Sequence, residues 1–351
     1  MTRSRAVFRA FARLLVVVTS HTGITWAQAA PRSAPPSLLP SDAEIRKILV
    51  DRIDVQHQGV GIVIGVIGPQ GRRVIAYGSL EKGDPRPLNG DTIFEIGSAT
   101  KVFTSLLLAD MVQRKQVALD DPVAKYLPAT VKMPERNGRS ITLLDLSTHT
   151  SGLPRLPGNM KPKDPGNPYA DYSVEQLYQF LSGYQLTRDI GSTYEYSNLG
   201  GGLLGHVLAR RAGKDYEALV ESRICAPLGM KSTAITLTPQ IKARLAVGHN
   251  ARLEPVKNWD LPTLAGAGAL RSTGNDLLIF LAANLGYSKS PLAPAMAAML
   301  KTRRPTGQSG LESPWAGTSS PATAKRSSGI TAVRVATVLS SVSIPRPAWA
   351  W

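Results

Sequence analysis

Residues 102–112 read V-F-T-S-L-L-L-A-D-M-V. Wound at 3.6 residues per turn, this run carries apolar side chains on almost every face, with Asp110 as its one charge. Such a helix has no polar side to offer to water, so the rest of the protein must surround it. The chain has the material to do so. Its 351 residues are 43% hydrophobic, enough for one large domain or two intimately joined ones.

The same helix carries a chemical signal at its mouth. It is entered through Phe94-Glu95-Ile96-Gly97-Ser98-Ala99-Thr100-Lys101. Ser98 and Lys101 stand three residues apart, on one helix face, close enough to touch. The hydroxyl sits near free N–H groups and positive partial charge. The ammonium sits where burial would lower its pKa. A serine beside a proton acceptor is a candidate nucleophile. Taken alone, S-x-x-K occurs often by chance and reads first as an N-cap serine followed by an ordinary surface lysine. The buried helix behind it favours the chemical reading.

Composition narrows the class. Arg3, Arg5, Arg9 and Arg13 flank an apolar run at residues 14–18, and Ala27-Gln28-Ala29 resembles a cleavage site. Residues 1–29 therefore read as a secretory signal, with a retained N-terminal anchor as the alternative. The apolar run is too short to span a bilayer. Proline-rich residues 30–40 read as a linker, and the location expected is periplasmic or secreted. A single cysteine, Cys225, excludes an internal disulfide or a multi-cysteine metal site. The five histidines lack ligand spacing, so neither metal nor cofactor is expected. Formal charge is +16, without a dense basic run interleaved with aromatics. Nucleic acid is thus not an expected partner. A small-molecule substrate, no stable membrane span and a monomer are expected.

Along the chain, residues 42–54 have helical apolar spacing. Residues 61–67 and 72–77 flank Gly68-Pro69-Gln70-Gly71 as a β-hairpin whose first strand, apolar on both faces, should be covered on both sides. A short element follows Leu119-Asp120-Asp121-Pro122. Another helix begins near residue 141 and leads into Ser147-Thr148-His149-Thr150-Ser151-Gly152-Leu153-Pro154. His149 could be a base by type, but reads as a structural loop residue. Residues 157–168 form a long surface loop, and 174–181 a helix. Tyr196 and Asn198, two apart in an extended loop, point to one side. The glycines after them let a helix, expected at 203–211, pack closely on a neighbour. Residues 216–225 read as helix, 264–269 as a small-residue run, and 271–276 as a cap for a helix at 277–284.

Ser98-x-x-Lys101 and Tyr196-x-Asn198, with Phe94-Glu95-Ile96-Gly97 before them and His149-Thr150-Ser151-Gly152-Leu153-Pro154 between, are jointly far more specific than any one alone. Over residues 45–304 the chain resembles the serine β-lactamase and penicillin-binding protein family, in the branch of class C β-lactamases, DD-peptidases and family VIII esterases. The resemblance implies an α+β fold: an antiparallel sheet flanked by helices, with an inserted helical lobe, roughly residues 105–260 of a domain at 41–310. It implies that Ser98 attacks a β-lactam, ester or D-Ala-D-Ala-type carbonyl. Lys101 and Tyr196 would relay its proton, one of them unprotonated at rest. Asn198 would bind the substrate amide, and the Ser98 N–H would be one of two oxyanion donors. A non-catalytic binder of penicillin or muropeptides is the reading from another class.

One part of the pattern is missing. The family carries a third motif, K-T-G or H-x-G, on a C-terminal strand that also gives the second oxyanion donor. Here Lys301-Thr302-Arg303 has arginine in place of glycine and reads as a helix end. Residues 311–351 turn rich in serine, alanine, threonine and proline, as a disordered tail would. A sharper reading shifts each codon by one base. Residues 329–345 are then compatible with W-H-N-G-G-T-G-G-Y-R-S-F-I-G-F-D-P, which contains an H-x-G. The expectation is a frameshifted tail beginning between Gly307 and Leu311, missing or aberrant C-terminal strands, an open sheet edge, and little activity in the chain as written.

Overall fold

The hairpin forms as read. In this computed structural model, which describes residues 39–68, 70–301, 303–305, 312–314 and 337–340, strand β1 (Gly61–Gly68) pairs antiparallel with β2 (Gly71–Gly78), Gly61 opposite Gly78 and Gly68 opposite Gly71. The expected signal peptide and most of the expected linker and tail lie outside those residues.

Alternation along β1 explains its apolar run. Ile62 joins Ile45, Leu49 and Ile75 in a small cluster beneath helix α1 (Asp42–Val50). Val63 faces the other way, into the main core. Gly65 lies under Leu278, where a Cβ would come within 2.9 Å of the leucine Cγ. Both faces of the strand are covered, as a two-sided apolar strand requires.

On its other edge β1 pairs antiparallel with the short strand Thr337–Ser340, Ile62 opposite Ser340. The sheet order places β1 in the middle of three strands. A second short ladder joins β3 (Ile93–Glu95) to β4 (Arg271–Thr273), Phe94 opposite Ser272.

Helix α2 (Thr100–Gln113) is the centre of the molecule. Eleven of its residues are buried, from Thr100 to Met111. Its one acid, Asp110, is held by Arg114 at 2.9 Å and Arg223 at 3.3 Å, so the buried charge is paired. With α2, helices α3 (Leu143–Ser147), α4 (Val174–Gly183), α5 (Asn198–Ala212), α6 (Tyr216–Val220), α7 (Ala265–Gly268), α8 (Gly274–Asn284) and α9 (Ala293–Lys301) all contribute to one hydrophobic core. Phe103 of α2 stacks on Phe280 of α8, centroids 4.5 Å apart. Helices α1 and α6 run on through π-turns at Asp51–Val55 and Glu221–Cys225, completing the spans expected for them.

Two boundaries differ from the sequence reading. Helix α5 starts at Asn198, not near residue 203. Its first N–H groups are met from outside: the Ser197 hydroxyl accepts from Gly200 at 2.8 Å, and the Arg155 carbonyl accepts from Asn198 and Leu199 at 3.0 and 3.2 Å. Residues 271–273 are a strand as well as a cap. Thr273 Oγ1 accepts the Asp276 N–H at 3.0 Å, so α8 opens at Gly274. Among the described residues no helix is long and apolar enough to cross a membrane.

Candidate active site

Strand β3 delivers the nucleophile candidate. After Ile96, whose N–H bonds the Leu270 carbonyl at 3.1 Å, Gly97 takes φ 50°. That left-handed turn favours glycine. A 3₁₀ turn at Gly97–Ala99 then feeds α2, leaving Ser98 exposed at the helix mouth. One turn on, Lys101 is only 3% exposed.

The paired motifs meet here. Ser98 Oγ lies 2.5 Å from Tyr196 Oη and 3.3 Å from Lys101 Nζ. Lys101 Nζ donates to Asn198 Oδ1 at 2.8 Å and to the Ala267 carbonyl at 2.7 Å. All four side chains named from sequence share one cluster, although about a hundred residues separate the two pairs. The Ala267 carbonyl was not legible as a motif, because it is a backbone group near the end of α7. The last carbonyls of a helix lack partners within it, and an amine fits there.

Glycines make the room. A Cβ at Gly201 would stand 3.0 Å from Lys101 Cε. At Gly202 it would meet Leu264 at 2.6 Å, and at Gly205 the Gly266 Cα at 2.7 Å. Helix α5 therefore packs almost backbone to backbone on α7, with the lysine stem threaded beside it.

His149 shapes the tyrosine's loop, in keeping with its reading as structural. It is 2% exposed with φ 58°. Its carbonyl accepts the Glu195 N–H at 2.8 Å and its Nδ1 accepts the Ser197 N–H at 3.1 Å. Both neighbours of Tyr196 are thus tied to one residue, whose ring lies 4.7 Å from the Tyr196 ring. Tyr169, a further neighbour, accepts from Asn198 Nδ2 at 3.4 Å and packs against Trp259.

Electrostatics separates the two proton carriers. Burial, with a smaller push from the Arg155 charge, brings Lys101 down to about 7. Burial drives the Tyr196 phenol upward, against the Ser98 hydrogen bond and the Arg155 charge. The amine therefore gives up its proton first. A neutral amine has two N–H bonds and one lone pair. Asn198 Oδ1 and the Ala267 carbonyl can only accept, so they take the two N–H bonds. The lone pair is then left for the Ser98 hydroxyl. This arrangement can activate an alcohol toward a carbonyl carbon.

The family model described as Beta-lactamase matches residues 45–333. The chain belongs to the β-lactamase family. Within the β-lactamase family it is 34% identical over 259 residues to the D-alanyl-D-alanine-carboxypeptidase/endopeptidase AmpH of Escherichia coli K12, covering 72% of this chain and 65% of that one. It is 27% identical over 257 residues to a β-lactamase of Lysobacter lactamgenus, covering 73% and 63%. The chain thus spans just under two-thirds of these curated relatives. Among solved structures it resembles a class C β-lactamase from Rhodobacter sphaeroides, with TM-score 0.62, 28% identity, and 73% and 69% covered. A β-lactamase/D-alanine carboxypeptidase from Pseudomonas syringae, at 23% identity and TM-score 0.66, shares the fold over 78% of this chain and 74% of that one. The α+β architecture is the β-lactamase/transpeptidase one.

Proposed function

We propose that this chain is a serine hydrolase of the β-lactamase type that opens a cyclic amide through an acyl-enzyme on Ser98. The observation that carries the reading is the meeting of Ser98, Lys101, Tyr196 and Asn198 within hydrogen-bond reach. Neutral Lys101 takes the Ser98 proton as Oγ bonds the carbonyl carbon. When the C–N bond breaks, the proton passes to the leaving nitrogen through Lys101 and Tyr196. Water then cleaves the ester and restores Ser98. Asn198 holds the substrate amide.

A DD-peptidase on the same site is the second reading, favoured by the 34% identity to the carboxypeptidase/endopeptidase AmpH. The two differ in deacylation. A product burst that stalls with penicillin marks the peptidase, continued turnover the β-lactamase, and p-nitrophenyl ester turnover alone a family VIII-type esterase. The signal-like residues 1–29 support a periplasmic or secreted location, which fractionation of a native host tests.

The absent K-T-G or H-x-G supports weak activity for the chain as written, because loss of one oxyanion donor costs roughly 10²–10³ in rate. We infer that the tail is a frameshifted reading. Resequencing the gene tests this, and third bases that spell something else end the idea. The function itself is tested by intact mass after long incubation with a panel of β-lactams. A stoichiometric adduct that Ser98→Ala abolishes is expected. An unlabelled wild-type chain would favour the non-catalytic muropeptide- or penicillin-binding reading.

A further inference from the structure

Two adjacent arginines near the hairpin turn meet different surroundings. Arg73 stands opposite Val66, on the sheet face that packs with α1, and is ion-paired with Asp42. Arg72 stands opposite Ile67 and shares the other face with it, the face on which Gly65 lies under Leu278 of α8. There Arg72 is exposed, and among the described residues it has no ion-pair partner.

Arg72 and Ile67 line a cavity of about 560 Å³ between the end of the hairpin and the C-terminal turn of α8. Small-molecule sites have volumes of this order. Leu228, Ile279 and Ala282 continue its apolar wall. Lys289 adds a second exposed cation, again with no ion-pair partner among the described residues. None of the described lining residues is acidic. A helix C-terminus can answer a cation through its free carbonyls, but those of α8 are largely taken. Leu281 accepts from Leu285, Ala282 from Tyr287 and Ser288, and Ala283 from Gly286. The cavity is also separate from the reactive cluster, since neither Ser98, Lys101, Tyr196 nor Asn198 lines it.

We propose that this cavity is a second binding site, for a small amphipathic anion with a carboxylate or phosphate head on Arg72 and Lys289 and an aliphatic body against Ile67, Leu228, Ile279 and Ala282. A guanidinium fork and an ammonium both suit such a head. The wall supplies branched aliphatic side chains, which favour an alkyl body over a polar one. A neutral alkyl ligand would leave both cations unanswered, and a head without a body would leave the wall wet.

The head has two possible sources, a free fatty-acid-like carboxylate or a phospholipid at a membrane surface, and the test separates them. Binding of dodecanoate, kept below its critical micelle concentration, is measured by titration calorimetry on the full chain, beside dodecanol and acetate. One dodecanoate per chain is expected, bound more tightly than either control. The double variant Arg72→Gln/Lys289→Gln should bind it about 10- to 100-fold more weakly. Both side chains are exposed, and a urea melt verifies that the variant folds. Arg73→Gln removes an equal charge from the opposite face and should leave the affinity unchanged. Sedimentation with phosphatidylglycerol-containing vesicles that the double variant loses assigns the head to a membrane lipid; dodecanoate binding without it assigns a free acid. Equal affinity for dodecanoate and dodecanol, an unchanged double variant, an equal loss in Arg73→Gln, or a wild type that binds neither dodecanoate nor vesicles each overturns the proposal. Failure of Ser98 to acylate would leave it standing, because the two sites share no residue.

Discussion

Lys101 shows how much one side chain's surroundings decide. On the surface its amine would be charged at any physiological pH and useless as a base. Enclosed at 3% exposure it falls to about 7, while burial moves Tyr196 the other way. In the proposed mechanism the reactive form has Lys101 neutral and Tyr196 protonated. Acylation of Ser98 should therefore rise about tenfold per pH unit below 7 and level off above it, as followed by intact mass between pH 5.5 and 8.5. A flat profile would remove Lys101 as the base. Lys101→Arg should be unreactive across this range, because guanidinium does not lose its proton. Tyr196→Phe keeps the ring against His149 but deletes the hydroxyl beside Ser98. It should slow acylation by roughly 10²–10⁴, the usual worth of a positioned proton carrier. A loss below tenfold would leave the phenol a spectator.

At the scale of elements, the site depends on α5 lying unusually close to α7. Glycine lowers helix stability by about 1 kcal/mol relative to alanine, yet α5 carries Gly200, Gly201, Gly202 and Gly205. Gly205→Ala would gain that propensity and lose more, since its methyl would meet the Gly266 backbone at 2.7 Å. Overpacking of this kind costs typically about 1–3 kcal/mol. A net loss of stability is expected in urea melts, with slower acylation as α7 and its Ala267 carbonyl move away from Lys101. These glycines also mark the limit of sequence reading. The hairpin, the all-apolar helix and the two short motifs were legible because each writes its period or its chemistry into neighbouring residues. The true start of α5 was not. Its glycines argue locally against helix, and its first N–H groups are satisfied by Arg155, more than forty residues away. The strand at Arg271–Thr273 was missed for a similar reason: three residues carry too little alternation to be seen, and the partner at Ile93–Glu95 is remote. The Ala267 carbonyl has no side chain to announce it. The two-sided hold of His149 on the loop of Tyr196 was not legible, because it needs the left-handed backbone that only the fold reveals.

For the whole molecule, a buried amine with a lowered pKa is a cost that folding carries and that pH can expose. Lys101 binds its proton with an affinity near 7 in the fold and near its ordinary 10.5 once unfolded. Between those values the unfolded chain holds the proton and the folded chain does not. Stability must then rise with pH across this window, since it rises wherever the unfolded state binds more protons. Below pH 7 both states are protonated and the slope from this group vanishes. Many other groups titrate over the same range, so the test is a difference. Lys101→Met removes the titration, while the unmet Asn198 and Ala267 oxygens it leaves behind shift its stability by an amount that does not depend on pH. Wild type should therefore gain on Lys101→Met by an amount approaching about 1.4 kcal/mol per pH unit above pH 7, and run parallel to it below. Urea melts of both proteins at pH 6, 7, 8 and 9 measure this directly, and the tail cancels because both chains carry it. Parallel stabilities over the whole range would mean that Lys101 keeps its proton in the fold, and the neutral-amine route to Ser98 would fail with it.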